Sequence, residues 1–297
     1  MDVTSDARKC LRISNMKALF VTLLFVLAFG GPAAPNTGSS EPKWSPDGKS
    51  ILFVEGHFPE SREVMIMNAD GTGVRKLTSN HWADEYPTLS PDGKTILFSS
   101  NRTGVWKLYV MDIDGSNVRD LGLDSTSSDP NDPCRADWSP DGKQIAFPMT
   151  RSNGHFLDVA NRDGTGLSEI PNGRGAYPHW SRDGRSLVFY STGNLYTIRL
   201  DGTGRKQLTE NDPASEIRPN YPQWSADGST IYFLKGDNIY RINPDGTGEK
   251  QMTHIPGRKW YLGVSTSGRL TYTCIEDKID RIYTLEADGS GLKRVSG

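Results

Sequence analysis

The chain has 297 residues, with 34 basic and 36 acidic side chains and a net charge of −2. Charges of both signs are interspersed, so there is no basic field of the kind nucleic-acid-binding proteins need, and that class is excluded. With 35% hydrophobic residues, 31 glycines and 18 prolines, the composition is that of a turn-rich β protein, long enough to bury a substantial core.

The first residues differ from the rest. Arg8, Lys9, Arg12 and Lys17 precede the apolar run ALFVTLLFVLAFG (18–30), and small residues follow it. This is the order of a secretory signal, and the run is short for a membrane span. Residues 1–34 are therefore expected to be a leader, cut near Ala33 or Ala34 between Pro32 and Pro35, with Met16 as a second candidate start. An uncleaved anchor is the competing reading. Cleavage would leave 30 basic and 34 acidic residues, a mildly acidic chain that is exported, periplasmic or secreted, and has no stable membrane span.

From residue 35 onward one unit recurs six times, at approximately 41–78, 86–122, 135–171, 177–209, 221–253 and 261–297. The Trp of Trp-Ser-Pro-Asp-Gly, or its equivalent, falls at Trp44, Leu89, Trp138, Trp180, Trp224 and Val264, 40–49 residues apart. Each unit reads as a short first strand, a tight Ser-Pro-Asp-Gly turn, a β-rich second strand, a variable loop and a third strand. A turn of the Asp-Gly-Thr-Gly type and a short last strand close it. Proline presets φ, Ser and Asp suit the turn, and Gly takes its left-handed position. Four short antiparallel strands at this period predict an all-β fold, a six-bladed β-propeller, because one blade cannot bury both faces alone. The recurring Trp is then a wedge between adjacent blades. The six units are in phase, so closure is expected from blade-to-blade packing, with residues 35–40 as a further edge strand if they pair. Cys134 and Cys274 fall on separate units and are not expected to pair.

The phrase PxWSPDGKxIxF…DGTGxxxLT is similar to the repeat of TolB-type six-bladed propellers, with related repeats in prolyl-oligopeptidase-type and oligogalacturonate lyase propellers. It is fullest at 42–78, 135–171, 177–209 and 221–253; the second copy departs at Leu89, and the sixth loses both the Trp and the Pro-Asp. The resemblance implies the fold and leaves the activity open. It also implies a chain without the extra domain that precedes the propeller in TolB. No G-x-S-x-G elbow, H-E-x-x-H, Walker loop or C-x-x-C occurs, and none of the Asp-Gly turns carries a full calcium-loop ligand run.

Both tight turns of each blade fall at one end of the strands. The other end carries the variable loops and the connections between blades, where individual chemistry sits on a rigid frame. The expected partner-binding rim comprises His81, Trp82, Asp84, Glu85, Arg135, Asp137, Arg174, His179, Glu216, Arg218, His254, Arg258 and Trp260. Trp82 and Trp260 lie outside the Trp row, and either contact a ligand or cover loop ends. The residue before each Trp position (Lys43, Thr88, Asp137, His179, Gln223, Gly263) is expected to face a water-filled channel. These residues predict a non-catalytic scaffold, without metal or cofactor, that binds an envelope or extracellular protein, a peptide or a glycan. The alternative is a funnel-site lyase or hydrolase acting on a glycan, which convergence of His81, His179 and His254 in the funnel would favour and their splaying onto the rim would weaken.

Overall fold

A computed structural model describes residues 38–56, 61–124, 134–212, 214–254 and 257–296. The expected leader and its cleavage site lie outside the described residues. Among those residues there are six four-stranded antiparallel sheets, each built from four consecutive strands, and no helix long and apolar enough to cross a membrane. The innermost strands are Gly38–Trp44, Asp84–Leu89, Asp137–Trp138, Ala176–Trp180, Pro219–Trp224 and Lys259–Val264. Packed side by side around one axis, they make the fold a six-bladed propeller.

The turn chemistry recurs in atomic detail. Ser45 Oγ donates to Asp47 Oδ1 at 2.6 Å, and Asp47 Oδ1 also accepts from the Lys49 amide at 3.1 Å. Gly48 closes the turn at φ 66°, in the left-handed region where a side chain is strained. The same Ser–Asp bond returns at Ser90–Asp92, Ser139–Asp141, Ser181–Asp183 and Ser225–Asp227. These hydrogen bonds hold each aspartate below its ordinary pKa, Asp227 at about 2. The tight-turn end of every blade therefore satisfies most of its own polar groups.

Two of the four Trp wedges join neighbouring blades by hydrogen bonds as well as by area, while Trp44 Nε1 and Trp224 Nε1 are buried without a hydrogen-bond partner. Trp138 Nε1 donates to the Thr88 carbonyl at 3.3 Å, and Trp180 Nε1 to the Asp137 carbonyl at 3.2 Å, in each case one blade back. The core is divided accordingly into clusters that mostly span two blades; one, for example, packs Ala146 and Leu157 against Trp180, Leu187 and Phe189.

Among the described residues the ring closes without a strand exchanged between the first and last blades. Residues 38–40 lengthen the innermost strand of blade one rather than adding an edge strand. Trp44, Ile51 and Phe53 of blade one pack with Ile282 and Val295 of blade six. The Arg269 guanidinium stacks 4.2 Å from the Trp44 ring and donates to the Gly48 carbonyl at 2.7 Å, and Thr266 Oγ1 donates to the Pro46 carbonyl at 2.8 Å. Gly263 faces this seam: a Cβ there would stand 2.9 Å from the Pro42 carbonyl oxygen. Cys134 and Cys274 are buried on separate blades, and no disulfide joins them.

Candidate functional site

Five innermost strands share one irregularity. Their register slips between Ser40 and Lys43, Glu85 and Thr88, Ala176 and His179, Asn220 and Gln223, and Trp260 and Gly263. Within each slip one bulky residue adopts the left-handed conformation: Glu41 (φ 59°), Tyr86 (54°), Tyr177 (57°), Tyr221 (50°) and Tyr261 (56°). Such a β-bulge re-aims a side chain, and the strain of a large residue at positive φ is the kind found at functional positions. Proline follows four of the five, where the interrupted ladder has no use for an amide donor.

The bulges bring four tyrosines around one cation. Arg135, the equivalent residue of blade three, holds its guanidinium 4.2 Å from the Tyr86 ring centroid, 4.4 Å from Tyr177, 4.9 Å from Tyr221 and 5.5 Å from Tyr261. It donates to the Tyr86 hydroxyl at 2.7 Å. Tyr177 and Tyr221 stack at 5.3 Å, and Tyr221 meets Tyr261 edge-on at 5.3 Å. Burial pushes the Tyr86, Tyr221 and Tyr261 hydroxyls above the ordinary tyrosine pKa, so they remain neutral donors. The result is a cation-centred constriction in the channel.

Toward the tight turns lies the polar ring expected from the residues before each Trp. Lys43 Nζ donates to Gln223 Oε1 at 2.9 Å. Asp137 Oδ2 accepts from the Trp180 amide at 3.1 Å and stands 3.8 Å from His179 Nε2. His179 Nδ1 accepts from the Trp224 amide at 3.2 Å, which fixes its proton on Nε2, facing Asp137. Burial lowers the pKa of His179, against the pull of Asp137, and lowers that of Lys43 for the same reason. The constriction and this ring share a chamber of about 60 Å³. Beyond it the channel widens to a mouth of about 180 Å³ walled by the Trp row.

On the opposite side of the constriction, Arg62 gathers carboxylates. Its Nη1 donates to Glu85 Oε1 at 2.9 Å, and its Nη2 lies 3.3 Å from Glu41 Oε1 and bonds Ser40 Oγ. Glu41 Oε2 accepts the Tyr86 amide at 2.5 Å. Burial pushes the Glu41 carboxyl up to about 7, with Arg62 pulling it back. Asp280, beside this cluster, is pushed up to about 6 by burial.

The rim predicted from the sequence thus separates into four groups. Arg135, Asp137 and His179 come together in the channel. Asp84 and Glu85 are buried, not exposed on the rim: they lie on the innermost strand of blade two, Asp84 held by Arg102 Nη2 at 3.0 Å and Asn80 Nδ2 at 2.7 Å, Glu85 by Arg62. Arg174 ends the outermost strand of blade three, where it bonds the Asn153 carbonyl, so it is away from the channel. His81, Trp82, Glu216, Arg218, His254 and Arg258 are exposed on the variable connections, with Trp260 half-buried; Arg258 stacks 3.9 Å from the Trp260 ring. His81 and His254 do not join His179: His254 instead meets Gln251 Nε2 at 3.0 Å. Among the described residues no group of three or more His, Cys, Asp and Glu is placed to hold a metal.

Sequence reasoning missed the tyrosine ring and Arg62. The ring had a signal, since the position three residues before each Trp reads Glu, Tyr, Arg, Tyr, Tyr, Tyr. Arg62 had none, because its partners lie 21 and 23 residues away on other strands.

Comparison with known proteins agrees with this architecture. Residues 33–169 match the family model described as TolB beta propeller domain. The Tol-Pal system protein TolB of Anaeromyxobacter sp. (strain K) is 34% identical over 187 residues, 58% of this chain and 42% of that protein. The chain spans about two fifths of the length of the curated relatives it matches. Among solved structures, TolB from Acinetobacter baumannii superposes with a TM-score of 0.64 at 16% identity, over 84% of this chain and 61% of that one. An oligogalacturonate lyase in complex with manganese superposes with a TM-score of 0.59 at 14% identity, over 88% of this chain and 77% of that one. At such identities the superpositions speak for the fold alone. With the repeat, the six closed blades and the match over residues 33–169 in agreement, the chain is a six-bladed β-propeller that is similar to the TolB beta propeller domain.

Proposed function

We propose that the chain is an exported, non-catalytic propeller that captures a partner on the face of its variable connections. The partner is an envelope or extracellular protein or peptide, with a glycan as the second ligand class. One observation carries this reading. On that face Trp82 and Ile217 keep 47% and 55% of their surface exposed, beside the charged Glu216, Arg218 and Arg258. Aromatic and Arg side chains held on rigid supports are what binding hot spots are made of. Kinship with Tol-Pal system proteins favours a protein partner over a glycan, and the leader-like residues 1–34 support export.

The test is capture from the native envelope extract with wild type and with R218E/R258E. Both positions are exposed, so the double variant should fold normally and lose the captured partner. Equal recovery by both would count against the reading. One observation favours the alternative, a funnel-site lyase or hydrolase acting on a glycan: the His179–Asp137 pair lies in the channel. Turnover of oligosaccharides by wild type, abolished in H179Q, would establish it.

A further inference from the structure

The chamber between the tyrosine ring and the polar ring contains two cations without an ion pair. Arg135 spends one donor on Tyr86, while its Nη1 is fully buried with no hydrogen-bond partner. Lys43 Nζ donates to a neutral amide, Gln223 Oε1. Among the described residues neither cation has a carboxylate within 4 Å. Glu41 and Asp137 line the chamber and act on Arg135 and Lys43 through space, but their contacts are made elsewhere, Glu41 with Arg62 and the Tyr86 amide, Asp137 with the Trp180 amide and His179. Ring faces offset this only in part: a cation–π contact is worth about 0.5–2 kcal/mol, whereas desolvating an ion costs several.

We infer that this chamber is a binding site for one small carboxylate anion, held between Arg135 and Lys43. The size fits: about 60 Å³ leaves room for a carboxylate group, with the Trp-walled mouth open beyond it. The chemistry fits too, since a guanidinium presents paired donors to a carboxylate and neutral tyrosine hydroxyls can add further ones. The carboxylate can come from a free small acid or from the end of a partner chain entering the Trp-walled mouth. The inference is independent of the partner proposed above, because a chamber that binds no anion would leave the exposed rim unchanged.

The experiment uses the full chain at constant ionic strength and follows thermal unfolding together with near-ultraviolet circular dichroism of the tyrosines. Sodium formate is titrated against sodium chloride, whose single-atom anion cannot take up paired donors as a carboxylate does. Formate at about five times its dissociation constant should raise the midpoint by about 2–4 °C over chloride and change the tyrosine signal. K43Q should weaken this response at least about tenfold, since a pairing of about 1.4 kcal/mol with the anion is lost. R135Q should abolish it; should that variant not fold, K43Q alone decides. A second arm compares triglycine with its C-terminal amide. Stabilisation by the acid and not by the amide identifies a chain-borne carboxylate, and stabilisation by formate alone identifies a free one. Identical midpoints in formate and chloride, or an equal formate response in wild type and K43Q, would overturn the inference.

Discussion

Glu41 makes the stability of this propeller depend on pH in an unusual direction. Its carboxyl is 3% exposed, and burial raises its pKa from 4.5 to about 7 in the folded chain. Between those values the folded state binds more protons than the unfolded one, so stability falls as pH rises. Below pH 4.5 both states are protonated and the burden is absent; above about 7 it is present in full. A shift of this size corresponds to about 3 kcal/mol. Asp280, pushed from 3.8 to about 6, acts in the same direction over a lower window. Glu41→Gln isolates the first contribution, since the amide oxygen can still accept from Tyr86 and Arg62 keeps Glu85 at 2.9 Å. Urea unfolding of both proteins at pH 4.5, 6 and 8 measures it. The variant's advantage over wild type should grow by up to about 3 kcal/mol across that range. An advantage that does not change with pH would refute the reasoning. So would one that shrinks as pH rises, for then the Arg62 ion pair would outweigh desolvation.

Other outcomes follow from the same structure. Trp180→Ala removes a wedge that is 3% exposed and its bond to the Asp137 carbonyl, and should destabilise by about 3–5 kcal/mol in denaturant titrations. Ile282→Ala in the closing seam should cost about 2–5 kcal/mol, and Arg269→Ala should destabilise less, through loss of its contacts to Trp44 and Gly48. Both should lower the unfolding midpoint as one cooperative transition, because the seam completes the ring. The turn aspartates act opposite to Glu41: Asp227, held at about 2, contributes stability that is lost as pH falls from 3.8 through that value. Asp227→Asn should therefore flatten the acid limb of the unfolding profile.

The fold was legible because its determinants are local and repeated. Trp180 and the Ser181–Gly184 turn identify a blade within a handful of residues, and six copies leave few architectures open. The site was legible only where a residue's direction follows from the repeat, as for Asp137 and His179. Tyr86, Tyr177, Tyr221 and Tyr261 sit in the same repeat, yet regular strand alternation does not indicate that a bulge at positive φ gathers them around Arg135. Asp84 and Glu85 read as exposed loop acids because nothing near them in sequence announces Arg102 or Arg62. Arg174 read as a connection residue because the outermost strand of blade three runs on to it, longer than its two-residue counterparts at Lys206–Gln207 and Lys250–Gln251. Long-range pairing, not composition, decided each of these.

The central claim is that the variable face captures a partner. Site-specific photo-crosslinking tests it most directly, with the reactive group placed at Trp82 or Ile217 on that face and at Asp183 or Asp227 on the tight-turn face, in the native envelope. The account predicts one crosslinked protein from positions 82 and 217, lost in the R218E/R258E background, and none from positions 183 and 227. Crosslinks from the tight-turn positions alone, or equal yields from both faces, would contradict it.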